Sequence, residues 1–289
     1  MLFDENKLEL SSPIKWAGGK GFLLEKVRHH LTQNSNCEWF VEGFAGSLAI
    51  TLHYQPKKVV INDICFPLIN MWTQIKENAD VLCVLLEELS ESSYNKKEKF
   101  NEIREEFNDM KNRELVLEEK IKLAAYFIYL NKRSFNGLYR ENSSGIYNVP
   151  FRQYKDGLIY SEDNIKEISK YFNENEVIFS NLSFENLEVP DNSLVYLDPP
   201  YYPCDTSSFT QYNKDGFTKE KQEELRNFCV SCVADGNKFL QSNAPCDEID
   251  ELYEQFNRES FLIKRSMRSA QKGKKDEENM PDNEILIWN

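Results

Sequence analysis

Ser193-Leu194-Val195-Tyr196-Leu197 is an apolar run that stops at Asp198-Pro199-Pro200-Tyr201. A short apolar run bounded by turn-forming residues reads as a strand buried on both faces, as in a parallel sheet. The two prolines end it, because each lacks a backbone N–H and holds φ near one value, so the chain turns a stiff corner. In open α/β sheets the carboxyl end of such a strand is where ligands sit. This corner carries one carboxylate, carbonyls that no helix claims and an aromatic ring. The set suits a flat heterocycle bearing an amino group. Asp198 and the Pro199 carbonyl can each accept a hydrogen bond from an exocyclic NH2, while Tyr201 stacks on the ring. An aromatic amine is a weak nucleophile because its lone pair is delocalised. Acceptors on its hydrogens draw the nitrogen toward a tetrahedral form and return that lone pair. A plain strand-ending turn with a surface Asp is the competing reading, since Asp-Pro pairs favour turns generally.

Outward from this corner the chain keeps an α/β pattern. Residues 38–42, Glu-Trp-Phe-Val-Glu, read as a strand. Gly43-Phe44-Ala45-Gly46-Ser47 reads as a tight turn opening a helix, and 58–63 as a second strand that ends in Asp63. A strand, glycine loop, helix and strand ending in an acid form the nucleotide-binding half of a doubly wound sheet, the acid meeting ribose hydroxyls. The loop lacks a full G-x-G-x-x-G, and Ala17-Gly18-Gly19-Lys20 lacks the first glycine of a Walker loop, with Ile14 standing there. Glycines ahead of a helix still offer N–H groups to an anion. Helix-forming, charged sequence fills 66–130, with Ile121, Ala125 and Ile128 at helical spacing, and predicts a helical insert with its own small core. The segment 132–155 is too long and too aromatic for a plain connector. Beyond it, strands are expected at 177–180, 194–197, 238–241 and 285–288, and a helix at 219–234.

The 289 residues carry a net charge of −13 and are 40% hydrophobic, enough apolar sequence for a real core. The charge is unevenly placed. Lys264, Arg265, Arg268, Lys272, Lys274 and Lys275 lie in an acid-free stretch, and Lys132, Arg133, Arg140, Arg152 and Lys155 interleave with Phe135, Tyr139, Tyr147, Phe151 and Tyr154. Phosphate contacts are short-ranged in salt, so such clusters outweigh the overall sum. No apolar stretch is long enough to span a bilayer, and the acidic start, Met1-Leu2-Phe3-Asp4-Glu5, has no signal-peptide pattern. With seven cysteines, this leads us to expect reduced thiols in a cytoplasm. One C-x-x-C, Cys229 and Cys232, and three histidines without ligand spacing predict no metal.

Four segments together resemble the Dam family of DNA adenine-N6 methyltransferases: residues 15–20 (Lys-Trp-Ala-Gly-Gly-Lys), 40–46 (Phe-Val-Glu-Gly-Phe-Ala-Gly), 61–64 (Ile-Asn-Asp-Ile) and Asp198-Pro199-Pro200-Tyr201. Residues 130–140 and 147–151 resemble that family's target-recognition segment, and Ser242-Asn243 and 284–289 (Glu-Ile-Leu-Ile-Trp-Asn) fit as well. The order of the segments is more specific than any one of them.

The resemblance implies a class I methyltransferase fold, a doubly wound Rossmann-like mixed sheet with an inserted, mainly helical recognition domain. Residues 1–65 and 158–289 would form the catalytic domain and 66–157 the insert. It implies S-adenosylmethionine as cofactor, without a metal, held by Trp16, Lys20, Glu42, Phe44, Gly46, Asp63 and Asp198. Catalysis would fall on Asp198, Pro199 and Tyr201, and contacts to duplex DNA on Lys15, Arg133, Phe135, Asn136, Arg140, Arg152 and Tyr154. Lys15 and Arg140 resemble positions that touch guanine edges, and Phe135 one whose ring enters the base stack. A site with a guanine–adenine core such as GATC follows from the same resemblance, which also admits a restriction endonuclease counterpart.

The chain departs from the pattern in one loop, with Gly43 where the family usually has proline and Leu48 where it has glycine. Leu48 is expected to press bulk toward the cofactor, and Leu48→Gly to tighten cofactor binding. RNA adenine methylation, a DNA-binding protein without catalysis and a nucleotide-binding dehydrogenase remain alternative readings of the same residues.

Overall fold

The computed structural model describes residues 8–16, 24–201, 217–263 and 282–289. After helix α1 (Leu24–Gln33) come strand β1 (Trp39–Glu42), helix α2 (Ala49–Tyr54) and strand β2 (Lys58–Asn62). Four helices follow: α3 (Phe66–Glu77), α4 (Ala79–Ser90), α5 (Lys97–Met110) and α6 (Leu117–Arg133). The chain then returns through α7 (Glu162–Glu174), β3 (Glu176–Ser180), β4 (Ser193–Leu197), α8 (Lys219–Ala234), β5 (Lys238–Asn243), α9 (Asp247–Leu252), β6 (Asn257–Ile263) and β7 (Asp282–Trp288).

The strands form one sheet in the order β3-β2-β1-β4-β5-β7-β6. The first five are parallel, and β7 lies antiparallel between β5 and β6. From β1 the chain winds outward to β2 and β3, then crosses back to β4, so the direction of winding reverses between β1 and β4. Such a reversal opens a crevice at the strands' carboxyl ends. Glu42 pairs with Tyr196 across it, and the Gly43 N–H donates to the Tyr196 carbonyl at 3.0 Å. The glycine loop and the Asp-Pro-Pro-Tyr corner therefore leave the sheet side by side.

Strand side chains alternate between faces, and here both faces are covered. Phe40, Val59, Ile61, Leu194 and Tyr196 join a large cluster with the helices on one side. Val41, Val60, Val195 and Leu197 join a second cluster with Leu225 and Cys229 of α8 and Ile249 of α9. All five residues of β4 are buried, as its uninterrupted apolar run predicts. The expectation of a separate small core for the insert is not met. One cluster runs from Val27 and Phe40 through Trp72, Leu86, Phe100 and Phe107 to Phe127 and Tyr147. β6 was not legible in sequence, because Asn257-Arg258-Glu259-Ser260 presents charge rather than an apolar run, as suits the edge strand it forms among the described residues.

Candidate active site and recognition arm

Asp63 and the glycine loop hold each other. Asp63 Oδ2 accepts the Gly46 N–H at 3.1 Å and Oδ1 accepts the Cys65 N–H at 2.9 Å. The Ala45 N–H donates to the Asn62 carbonyl at 2.8 Å. Burial raises the Asp63 pKa, and the two N–H bonds work against that shift. Each carboxylate oxygen accepts more than one hydrogen bond, so both retain capacity toward a pair of hydroxyls. Gly46 has φ +46°, and a Cβ there would stand 2.8 Å from Cδ1 of Trp16. The indole thus lies directly on the loop. Phe44 is half-buried, its ring 5.6 Å from Phe184 and 6.1 Å from Phe217.

Glu42, at the end of β1, is 3% exposed and accepts from the Thr51 hydroxyl at 2.5 Å and the Thr51 N–H at 3.3 Å. Burial pushes its pKa up to about 8; the Thr51 bonds oppose this, and the neighbouring Asp198 and Asp63 add to it. Three acids thus meet at the carboxyl rim of β1, β2 and β4.

Leu48 stands immediately ahead of α2. Its backbone is left-handed, φ 53° and ψ 34°, which explains why a glycine would suit the position. Its side chain is fully buried in the main core.

At the Asp-Pro-Pro-Tyr corner Ser242, on β5, donates its hydroxyl to Asp198 Oδ1 at 2.7 Å. Pro199 is buried and Pro200 exposed. Tyr201 is half-buried and donates to Oε2 of Glu284 at 2.5 Å. Glu284, on β7, is wholly buried. Sequence reasoning assigned no role to Glu284 or Thr51. Lys20 and the basic stretch 264–275 lie outside the described residues.

A second feature, an arm, grows from the end of α6. Bridges pair Ser134 with Phe151 and Glu141 with Tyr147, folding 134–151 into a hairpin-like arm. Asn131 pins it: Oδ1 accepts the Lys15 N–H, and Nδ2 donates to the carbonyls of Lys15 and Gly137, all at 2.8 Å. Gly137, φ +66°, lies so close to Lys15 that a Cβ would stand 2.7 Å from its Cδ. The amino-terminal strap and the arm are therefore one unit, although 116 residues separate Lys15 from Asn131.

Beside the Ser134–Phe151 bridge Phe135 is 47% exposed. Arg152 donates Nη1 to Asn136 Oδ1 at 3.1 Å, and its guanidinium carbon lies 5.7 Å from the Phe135 ring and 5.3 Å from the Tyr154 ring. Tyr154 donates to the Ser134 carbonyl at 3.2 Å and lies 5.9 Å from the Lys15 ammonium. Arg140 is exposed, with Nε donating to Asn148 Oδ1 at 3.2 Å. Arg133, expected against DNA, is 2% exposed instead. Its guanidinium donates to the carbonyls of Lys155 and Gly157, at 3.3 and 3.4 Å, and closes the base of the arm. Among the described residues no helix is long and apolar enough to cross a membrane.

Comparison with known proteins agrees with this arrangement. Residues 16–269 match the model of the D12 class of N6 adenine-specific DNA methyltransferases. The chain is 34% identical over 278 residues to the type II methyltransferase M1.LlaDCHI of Lactococcus lactis subsp. cremoris, covering 94% of this chain and 95% of that protein. It is 34% identical over 296 residues to the type II methyltransferase M.MjaIII of Methanocaldococcus jannaschii, covering 98% and 100%. It is 30% identical over 257 residues to the DNA adenine methylase of Escherichia coli K12, covering 89% and 88%. A β1-loop-β2 unit closed by an acid, an Asp-Pro-Pro-Tyr corner beside it and a family match over nearly the whole length lead to one assignment: the chain belongs to the D12 class of N6 adenine-specific DNA methyltransferases.

Proposed function

We propose that the protein transfers a methyl group from S-adenosylmethionine to N6 of adenine in duplex DNA, at a site with a guanine–adenine core such as GATC. The observation that carries this reading is the shared rim. Asp198, tied by Ser242, and Asp63, tied to the glycine loop, both act on Glu42 between them. An anionic rim beside a nucleotide-binding loop fits a cofactor that is a cation. When bound, S-adenosylmethionine supplies an electrophilic methyl on a sulfonium whose departure as a neutral thioether needs no metal.

The chain's own residues do the rest. Asp63 accepts ribose hydroxyls, Trp16, Phe44 and Gly46 wall the cofactor, and Lys20 offers a cation to its carboxylate. A base inside a duplex cannot reach this rim, so the target adenine is flipped out. Asp198 and the Pro199 carbonyl accept from its N6 hydrogens and meet the positive charge that develops there, and Tyr201 stacks on its face. Alignment and fixed acceptors supply most of the acceleration. Phe135 fills the space near the displaced base, with Asn136, Arg152 and Tyr154 around it. Lys15 and Arg140 read guanine edges, a task for which arginine's fork suits O6 and N7. Relatives named as type II methyltransferases favour a restriction–modification setting with an endonuclease counterpart, in the cytoplasm.

The test is transfer of label from S-adenosylmethionine to duplex DNA from a methylation-deficient host, followed by nucleoside separation and sequencing. Label in N6-methyladenine supports the reaction. Label in another nucleoside, preference for RNA, or a site without a GA core rejects the corresponding part.

A further inference from the structure

Strand β7 reads Glu284-Ile285-Leu286-Ile287, and all four side chains are buried. Burying a carboxylate is costly unless it is well partnered, and a fourth apolar residue would serve the core better. The fold itself therefore does not ask for an acid at 284.

The register shows where this acid sits. β7 is antiparallel to β5, with Asn243 opposite Ile285, and across β6 Glu284 is opposite Phe261. Glu284 thus lies one residue beyond the last pair at the carboxyl end of β5. That is the rim where Ser242 meets Asp198. The Tyr201 hydroxyl, 83 residues away in sequence, donates to it at 2.5 Å. Two acids of the rim are thus each met by a hydroxyl from another element.

We infer that Glu284 is a positioning residue of the acceptor site, its carboxylate fixing the tilt of the Tyr201 ring so that the ring's face is presented to the target adenine. This rests on the reading of Asp198 and Tyr201 as the adenine-holding corner. A tyrosine has two side-chain torsions, and anchoring its hydroxyl removes most of their freedom. The Pro199-Pro200 corner fixes the backbone on one side, and Glu284 fixes the far end of the side chain. Burial raises the Tyr201 pKa far above its ordinary value, and the charges of Asp198 and Glu284 add to the effect. The hydroxyl therefore remains a hydrogen-bond donor across the working pH range.

The test compares the full-length wild type with Glu284→Ala, Glu284→Gln and Tyr201→Phe, alone and combined. The readouts are single-turnover methyl transfer, cofactor Kd, and the fluorescence of duplex DNA carrying 2-aminopurine at the target adenine. Loss of one charge-assisted hydrogen bond corresponds to about a tenfold slower transfer. Glu284→Ala should show that loss with an altered 2-aminopurine signal and a cofactor Kd within about twofold of wild type. Glu284→Gln, whose amide oxygen still accepts from Tyr201, should recover most of both. Tyr201→Phe should match Glu284→Ala, and adding Glu284→Ala to it should change little more. Unchanged transfer in Glu284→Ala overturns the inference, as does a fall in thermal stability with no change in the fluorescence signal. If Glu284→Ala does not fold, Tyr201→Phe decides the matter, and full transfer with a wild-type signal overturns it. A wild type that binds DNA and transfers no methyl group rejects the functional reading itself, and with it this role.

Discussion

The Trp16 indole and the Tyr139 ring stack nearly parallel, 5.7 Å apart at 18°. The same indole covers Gly46 of the glycine loop, and Tyr139 stacks in turn on Tyr147 of the arm that follows α6, 5.4 Å away at 26°. The Tyr139 hydroxyl donates to Glu141, which the nearly buried Lys111 also contacts. One row of rings thus reaches from the loop that follows β1 to the arm that follows α6.

Trp16→Ala should therefore damage two functions at once. Removing the indole uncovers Gly46 and takes away one of the two rings stacked on Tyr139, an aromatic contact of about 0.5–1.5 kcal/mol beyond area burial. Cofactor Kd should rise about tenfold, and discrimination between cognate and altered sites should fall in parallel. Calorimetry for the cofactor and competition between duplexes check this. A change confined to cofactor affinity would show that the arm does not depend on the shared ring.

Glu42 should make both stability and cofactor binding depend on pH. Its folded pKa is about 8, above the ordinary 4.5, chiefly because it is buried. Between those values the folded protein holds a proton that the unfolded chain has lost. The stability it contributes is fully present below about pH 4.5 and lost as pH rises to about 8. Glu42→Gln should flatten that slope and be the more stable protein at pH 8, by up to about 4 kcal/mol. A cationic cofactor favours the ionised acid, so binding below pH 8 should release a proton and tighten as pH rises. Calorimetry in buffers of different ionisation enthalpy measures that release, and a buffer-independent heat would refute it.

Leu48→Gly should weaken the fold rather than improve the site. Glycine would relieve the left-handed backbone, worth about 1–2 kcal/mol. It would also empty a fully buried position in the main core, where truncating leucine even to alanine costs about 2–5 kcal/mol. Denaturation should show a net loss of about 2 kcal/mol, with cofactor Kd within about twofold. Tighter cofactor binding would restore the idea that this side chain crowds the site.

The parts legible in sequence were those whose signal is local. The apolar run of β4 and the prolines after it mark a buried strand and a corner within a few residues. The β1 loop ending at Gly46 and the acid at Asp63 do the same for the cofactor half. What escaped was set by partners far along the chain. Asn131 reads as one more polar residue at a helix end, yet it fastens a backbone segment near the amino terminus. Arg133 stands among basic and aromatic residues of which Phe135, Arg140 and Arg152 do reach the surface, and only its place on the inner side of α6 turns it inward. Glu284 reads as a charge before an apolar strand, and its function depends on a register that periodicity does not contain.

Arg140 and Arg133 should separate sequence reading from arm stability. Both lie in the stretch that resembles a recognition segment, yet Arg140 is exposed while Arg133 is enclosed with its guanidinium on two carbonyls. Arg140→Ala should relax the base choice at one position, by about 1–3 kcal/mol of discrimination, while nonspecific binding changes little. Arg140→Lys should not restore it, because an ammonium cannot grip two acceptors of guanine in the same plane. Arg133→Ala should instead lower thermal stability and weaken binding to all duplexes alike, since two loop carbonyls lose their partner and the base of the arm loosens. Selection from a randomised site library, with melting curves for each variant, distinguishes the two. If Arg140→Ala lost affinity equally on every sequence, its guanidinium would be a phosphate contact and the guanine reading would have to come from elsewhere on the arm.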